Sequence, residues 1–154
     1  MKNELNFFGI LILLVVVVLC ACVSGAQSGD IEIIRRGAGT ALGTVAATAS
    51  VTENRETGII EGDTGKYGFI EGIPVSRVTT GKKPPKDQAK AKHTIPSDAA
   101  EKAYANAVFE LIRQVKAKGG NGVTEVVSDV VRNYDPDTGI ETVDVSVSAE
   151  AVRL

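Results

Sequence analysis

The chain has 154 residues, 44% of them apolar and 23% charged, with 17 Lys and Arg against 19 Asp and Glu and a net charge of −2. That near balance excludes the strongly basic footprint by which a domain grips nucleic acid through its phosphates, and the length suits one domain of ordinary size. Tryptophan is absent, there is a single histidine, and both cysteines, Cys20 and Cys22, lie near the start, so neither a disulfide framework nor a set of soft metal ligands is spread through the sequence.

The chain opens with the polar stretch "MKNELN", which carries Lys2 and Glu4, and continues as an almost wholly apolar run from Phe7 to Val23. Charge, then an apolar core, then small residues is the layout of a secretory signal. The run sits at the lower edge of the length that crosses a hydrocarbon core of ~30 Å, so an uncleaved anchor is the alternative. Cys20 reads as a small apolar residue of the segment. Cys22 does not, because "LCAC", Leu19 to Cys22, resembles the bacterial lipobox. The resemblance implies diacylglyceryl transfer to the Cys22 sulfur, cleavage after Ala21 and acylation of the new N-terminus. Acyl burial contributes about 0.8 kcal/mol per CH₂, and two or three chains make attachment effectively permanent. Residues 1–21 are then the signal peptide and 22–30, "CVSGAQSGD", a flexible lipidated tether. The expected location is the cell envelope, with membrane lipid as the first partner. The lack of Asp after Cys22 resembles the outer-membrane-sorted class, with the domain on the periplasmic or surface face.

Residues 31–154 read as a single α+β domain. "DIEIIRRGAG" suggests a short strand from Ile31 to Arg35. In "ALGTVAATASV" the apolar Ala41, Val45, Ala47, Ala49 and Val51 alternate with Thr44, Thr48 and Ser50, which predicts a strand with one buried face of small side chains. The echo "GIIEG" at 58–62 and "GFIEG" at 68–72, with Asp63-Thr64-Gly65 between, predicts a hairpin with Ile60 and Phe69 among its apolar contacts. Then comes a Lys/Pro-rich loop over 80–96, where Lys82, Lys83, Lys86, Lys90 and Lys92 face one acid, Asp87. A solvated loop is the expectation, and contact with anionic lipid headgroups the functional alternative.

Ser97 is the predicted N-cap of a helix over about Asp98 to Lys118, on which Tyr104, Val108, Leu111, Ile112 and Val115 recur at helical spacing. "GGNG" at 119–122 supplies the stop. The remainder predicts a long antiparallel hairpin. "GVTEVVSDVVRNY" is the first strand, its Val-Val pairs marking a bulge or burial on both faces. "DPDTG", Asp135 to Gly139, is the turn. Val143, Val145, Val147, Ala149 and Ala151 then form the buried face of the second strand. The fold expected is a small antiparallel or mixed sheet on one main amphipathic helix, a β-α-β-β core with an extra hairpin or loop before the helix.

The helix-to-strand passage through Ala107, Leu111, Val115 and Lys118 to Val123, "KGGNGV", is similar to that of the YbjQ-like family, and "VSVSAEAVRL" looks like that family's last strand. A related arrangement occurs in Rcs-pathway sensor lipoproteins. The resemblance covers Ala100 to Leu154 and implies a compact β-α-β-β unit of a kind often assembled into rings. The family's heavy-metal label does not transfer, because the mature chain offers only His93 and an acylated Cys22 where soft metals need thiolate or imidazole. Asp135, Asp137 and Glu141 suggest a calcium loop, but Gly139 stands where the EF-hand pattern needs Asp or Asn, so a hairpin turn is expected instead. No catalytic residue, cofactor site or metal site is assigned. His93 lacks an assignable Ser or Asp partner, and "GAGTALG" precedes a strand instead of opening a helix after one. The leading expectation is therefore an envelope lipoprotein whose domain serves protein interaction, sensing or self-assembly without catalysis, with no nucleic acid among its partners. A small-ligand module, with its cavity between the Ala-rich strand face and the helix, is the alternative.

Overall fold

Alternating Val and Ala build the long strands, and an Ala-rich amphipathic segment builds the helix that covers them. The computed structural model describes residues 31–81 and 95–154. The leader, Cys20 and Cys22, the tether, and the segment 82–94 with its lysines and His93 lie outside the described residues. In chain order the elements are β1 (Ile31–Arg36), β2 (Thr40–Asn54), β3 (Ile60–Glu61), β4 (Tyr67–Ile70), helix α1 (Val75–Thr80), helix α2 (Ala99–Ala117), β5 (Gly122–Asp135) and β6 (Ile140–Arg153). The six strands form one mixed sheet in the order β3-β2-β6-β5-β1-β4. β2, β6 and β5 are antiparallel neighbours, while β1 runs parallel to both β5 and β4. The class is α+β, with a sheet-dominated core.

Cross-strand partners share a face, so the register fixes the core. Val45 stands across from Ala149, Ala47 from Val147 and Val51 from Val143, and all six are buried. Helix α2 lies over this face, contributing Ala100, Ala103, Tyr104, Ala107, Val108, Leu111, Ile112 and Val115. Ala41 departs from the expected face and is exposed, because a bulge between Ala41 and Gly43 shifts the register. Gly43, at φ 99°, occupies the left-handed region that such a bulge needs. Leu42 packs against the core in its place.

The helix begins one residue later than its sequence cap suggests. Asp98 is the N-cap, its Oδ1 accepting from the Glu101 N–H at 2.8 Å, while Ser97 gives its N–H and hydroxyl to the Glu101 carboxylate, both at 3.0 Å. The far end closes as a Schellman motif: the Gly119 N–H reaches Lys116 O and the Gly120 N–H reaches Val115 O, both at 2.9 Å, with Gly119 at φ 75°.

The expected hairpin between the two "G-x-I-E-G" echoes does not form. β3 pairs with β2 at one edge of the sheet and β4 pairs with β1 at the other. Two edges needed a strand each, and β4 gains more by burial than a short hairpin would: all four of its residues are buried, Tyr67 and Phe69 against Ala105 of α2. Gly68 allows this approach, since a Cβ there would stand 2.3 Å from the Phe109 nitrogen. As a result the first half of α2 is enclosed on two sides, from Ala103 to Phe109 without an exposed residue. Helix α1, ended by Gly81 at φ 68°, packs Val75 and Val78 on the main core beside α2.

The last hairpin forms as expected. Asp135 binds the turn by accepting from the Asp137 N–H and the Thr138 hydroxyl, each at 2.9 Å. Those donors hold its carboxyl below the usual carboxylate range. Of the two Val-Val pairs on β5, Val126-Val127 adjoins a bulge, between Thr124 and Val127, where Glu125 has φ 51°. Val130-Val131 is regular strand, so Val131 points away from the core.

Candidate functional site

Three polar or exposed features stand out on this scaffold, and each is built by residues distant in sequence. The first is a closed network under the β3–β4 turn. Asp63 Oδ2 accepts from Lys102 Nζ at 2.8 Å and from the Tyr67 hydroxyl at 2.7 Å; its Oδ1 accepts from Asn106 Nδ2 and the Gly65 N–H, each at 3.0 Å. Asn106 in turn accepts from the Thr64 hydroxyl and N–H. Burial alone pushes the Asp63 carboxyl up, but Lys102, Asn106, Gly65 and Tyr67 together outweigh it and hold it down at about 2. Burial, then the hydrogen bond to Asp63, pushes the Tyr67 hydroxyl up to about 12. With every member engaged, the network pins the turn to α2 and offers no free acid or base.

The second feature is a cleft of about 360 Å³ where α2 begins, lined by Glu53, Arg55, Asp98, Ala99, Arg132 and Glu141. Glu141 is buried at 4% exposure, and its Oε2 stands 2.7 Å from the Arg55 guanidinium and 3.8 Å from that of Arg132. The hydrogen bond to Glu141, and then its charge, raise the Arg55 pKa further above its ordinary value. Arg55 also lies over the Tyr134 ring at 5.6 Å. The hairpin turn expected in place of a calcium loop forms, and it leaves Glu141 apart from Asp135 and Asp137. Asp135 and Asp137 stay in the turn while Glu141, on the inward phase of β6, turns to the arginines. A signal was available, since Glu141 falls on the same odd phase as Val143, Val145 and Val147.

The third feature is the sheet face turned away from α2. Thr44, Ala46, Thr48 and Ser50 of β2, Asp144 and Ser146 of β6, and Val127, Asp129 and Val131 of β5 are exposed there. Val127 and Val131 are 65% and 45% exposed, high for valines within a long strand. Thr48, Ser50, Asp129, Val131, Asp144 and Ser146 outline a shallow groove of about 270 Å³. The outward-facing positions of β2, β6 and β5 carry acids and no lysine or arginine among the described residues. The sequence hinted at this surface only through the doubled valines of β5.

The Ala-rich strand face, expected to border a ligand cavity, is packed against α2, and the two clefts described here lie elsewhere. Among the described residues no helix is long and apolar enough to cross a membrane, and no group of three or more His, Cys, Asp or Glu is placed to hold a metal ion. Comparison with protein-family models, curated proteins and solved structures finds no match to this chain.

Proposed function

We propose that this chain is a lipid-anchored protein of the cell envelope, held to the membrane through acylated Cys22, whose α+β domain acts by contact with another protein and not by catalysis. The lipobox-like "LCAC" supports the anchor, and the YbjQ-like passage after α2 supports an interaction or assembly role. The observation that carries the reading is the open sheet face: a domain that buries one side of its sheet so completely leaves valines on the other side, among small hydroxyl-bearing residues that let a partner approach closely. The polar clusters point the same way, because Asp63 and Glu141 are both neutralised by neighbours within the fold.

A small-ligand module is the second reading, favoured by the cleft between Arg55, Arg132 and Glu141. The two are separated by photo-crosslinking in the envelope. A crosslinker at Ser146, on the open face, is expected to capture discrete partners that one at Arg113, on the exposed side of α2, does not. Equal yields from both positions refute the contact reading. The anchor is tested by phase partition: wild type enters the detergent phase and Cys22→Ala the aqueous phase, with processing of the leader followed in parallel. A mature N-terminus elsewhere, or an unmodified Cys22 thiol, refutes it.

A further inference from the structure

We propose that the edge of β5 from Thr124 to Asp135, which no described strand covers, receives an extended basic segment of a partner protein, which adds as a strand with a lysine or arginine across from Asp129 and apolar residues across from Val127 and Val131. The proposal rests on the reading of the open face as a contact surface, and it adds the chemistry of what binds.

The two long edges of the sheet are treated differently. β1 pairs with β5 only at Gly122 and Val123, and the Gly37 N–H takes Val123 O at 3.1 Å. From Thr124 to Asp135 no described strand lies on the side of β5 away from β6. The opposite edge, along β2, is covered at intervals. Gln114 of α2 donates to Ala46 O at 2.7 Å, β3 pairs with Thr52 and Glu53, and Gly62 sits so near that a Cβ would stand 2.9 Å from Ser50 O. An open row of backbone donors and acceptors is a template for strand addition. Successive side chains alternate faces, so Val127, Asp129 and Val131 present apolar, acidic, apolar along the outer side of that row.

Charge selects the occupant. A second copy pairing antiparallel through β5 with the faces aligned sets Asp129 against its own equivalent or against another outward residue of that strand, such as Val127, Val131 or Asn133. No such register gives Asp129 a cation, because the outer side of β5 has none. The neighbouring outward acid is Asp144, across from Val131, which adds to the negative field. A basic residue from another protein compensates both. The bland reading is that Asp129 merely guards the edge against aggregation, and the test separates the two.

The full chain in detergent micelles is titrated with a fluorescent peptide, Thr-Thr-Val-Thr-Lys-Thr-Val-Thr-Thr, up to millimolar concentration. Its palindromic pattern fits either strand direction. Saturable binding that weakens with salt is expected, and exchange of the central lysine for glutamate should weaken it about tenfold. Two versions N-methylated on alternate amides should differ, one set abolishing binding and the other leaving it intact, since only one row of amides faces β5. Asp129→Asn, an exposed and nearly isosteric change, should remove the preference for lysine over glutamate; Arg113→Ala should not. The proposal is overturned by absence of saturable binding, by equal affinity for the lysine and glutamate peptides, by indifference to both methylated versions, or by Asp129→Asn doing no more than make the chain self-associate. If the peptide fails while Ser146 still captures partners, this proposal alone falls; if both fail, the contact reading falls with it.

Discussion

Replacing Asp63 by Asn tests the central electrostatic claim about the fold. The change keeps the shape of the side chain but turns one acceptor oxygen into an NH₂ that faces Lys102 Nζ and the Tyr67 hydroxyl, at present 2.8 and 2.7 Å away. A carboxyl held at about 2 instead of 3.8 corresponds to roughly 2.4 kcal/mol if all of it is linked to folding. Asp63 and Lys102 retain 14% and 21% side-chain exposure, so screening by solvent trims this to about 1–2 kcal/mol. For a domain of this size that lowers the melting midpoint by about 3–8 °C at pH 7.

The folded-state pKa lies below the unfolded one, which sets the sign of the pH dependence. The contribution is complete above about pH 5, where the unfolded carboxyl is also ionised, and fades as pH falls from about 4 toward 2. Urea unfolding followed by circular dichroism, wild type beside Asp63→Asn from pH 7 to pH 2, should show a gap that narrows through this window. A gap that stays constant across it, or no gap at pH 7, refutes the assignment of the network to stability.

Gly68→Ala should be among the most damaging single changes, costing more than about 3 kcal/mol or abolishing folding, because the new methyl would meet the α2 backbone at Phe109; a soluble variant with a wild-type melting curve refutes the close approach. Tyr104→Phe should leave stability unchanged or raise it by up to about 1 kcal/mol. The Tyr104 hydroxyl is fully buried without a hydrogen-bond partner among the described residues, and burial pushes its pKa up to about 12; a clear loss of stability in thermal melts would reveal a partner. Glu141→Ala should shift the urea midpoint down by more than Glu110→Ala. It leaves Arg55 and Arg132 facing each other, whereas Glu110 pairs with Arg113 on the helix surface. Equal shifts count against a buried role for Glu141.

The features legible in the chain alone are local and periodic. The period-two rows of Val143 to Ala151 and Val45 to Val51, the helical spacing from Ala100 to Val115, the "GGNG" stop and the "DPDTG" turn each have their cause within a few residues, and each forms as read. The helix starts one residue after the predicted cap because Ser97 and Asp98 both cap well, and only the geometry of Glu101, which engages both, chooses between them. The middle of the chain takes its arrangement from long-range packing. Ile60 and Phe69 sit in nearly identical "G-x-I-E-G" surroundings, yet β3 and β4 go to opposite edges of the sheet. The choice depends on which edge is vacant and on whether α2 can be approached at Gly68. Likewise the buried Glu141 comes to pair with the half-exposed Arg55, and Asp63 and Asn106 to lock a turn, through contacts between residues far apart in the chain. Periodicity records which face a side chain takes, but a partner is chosen by where the other strands stop, and no local pattern encodes that.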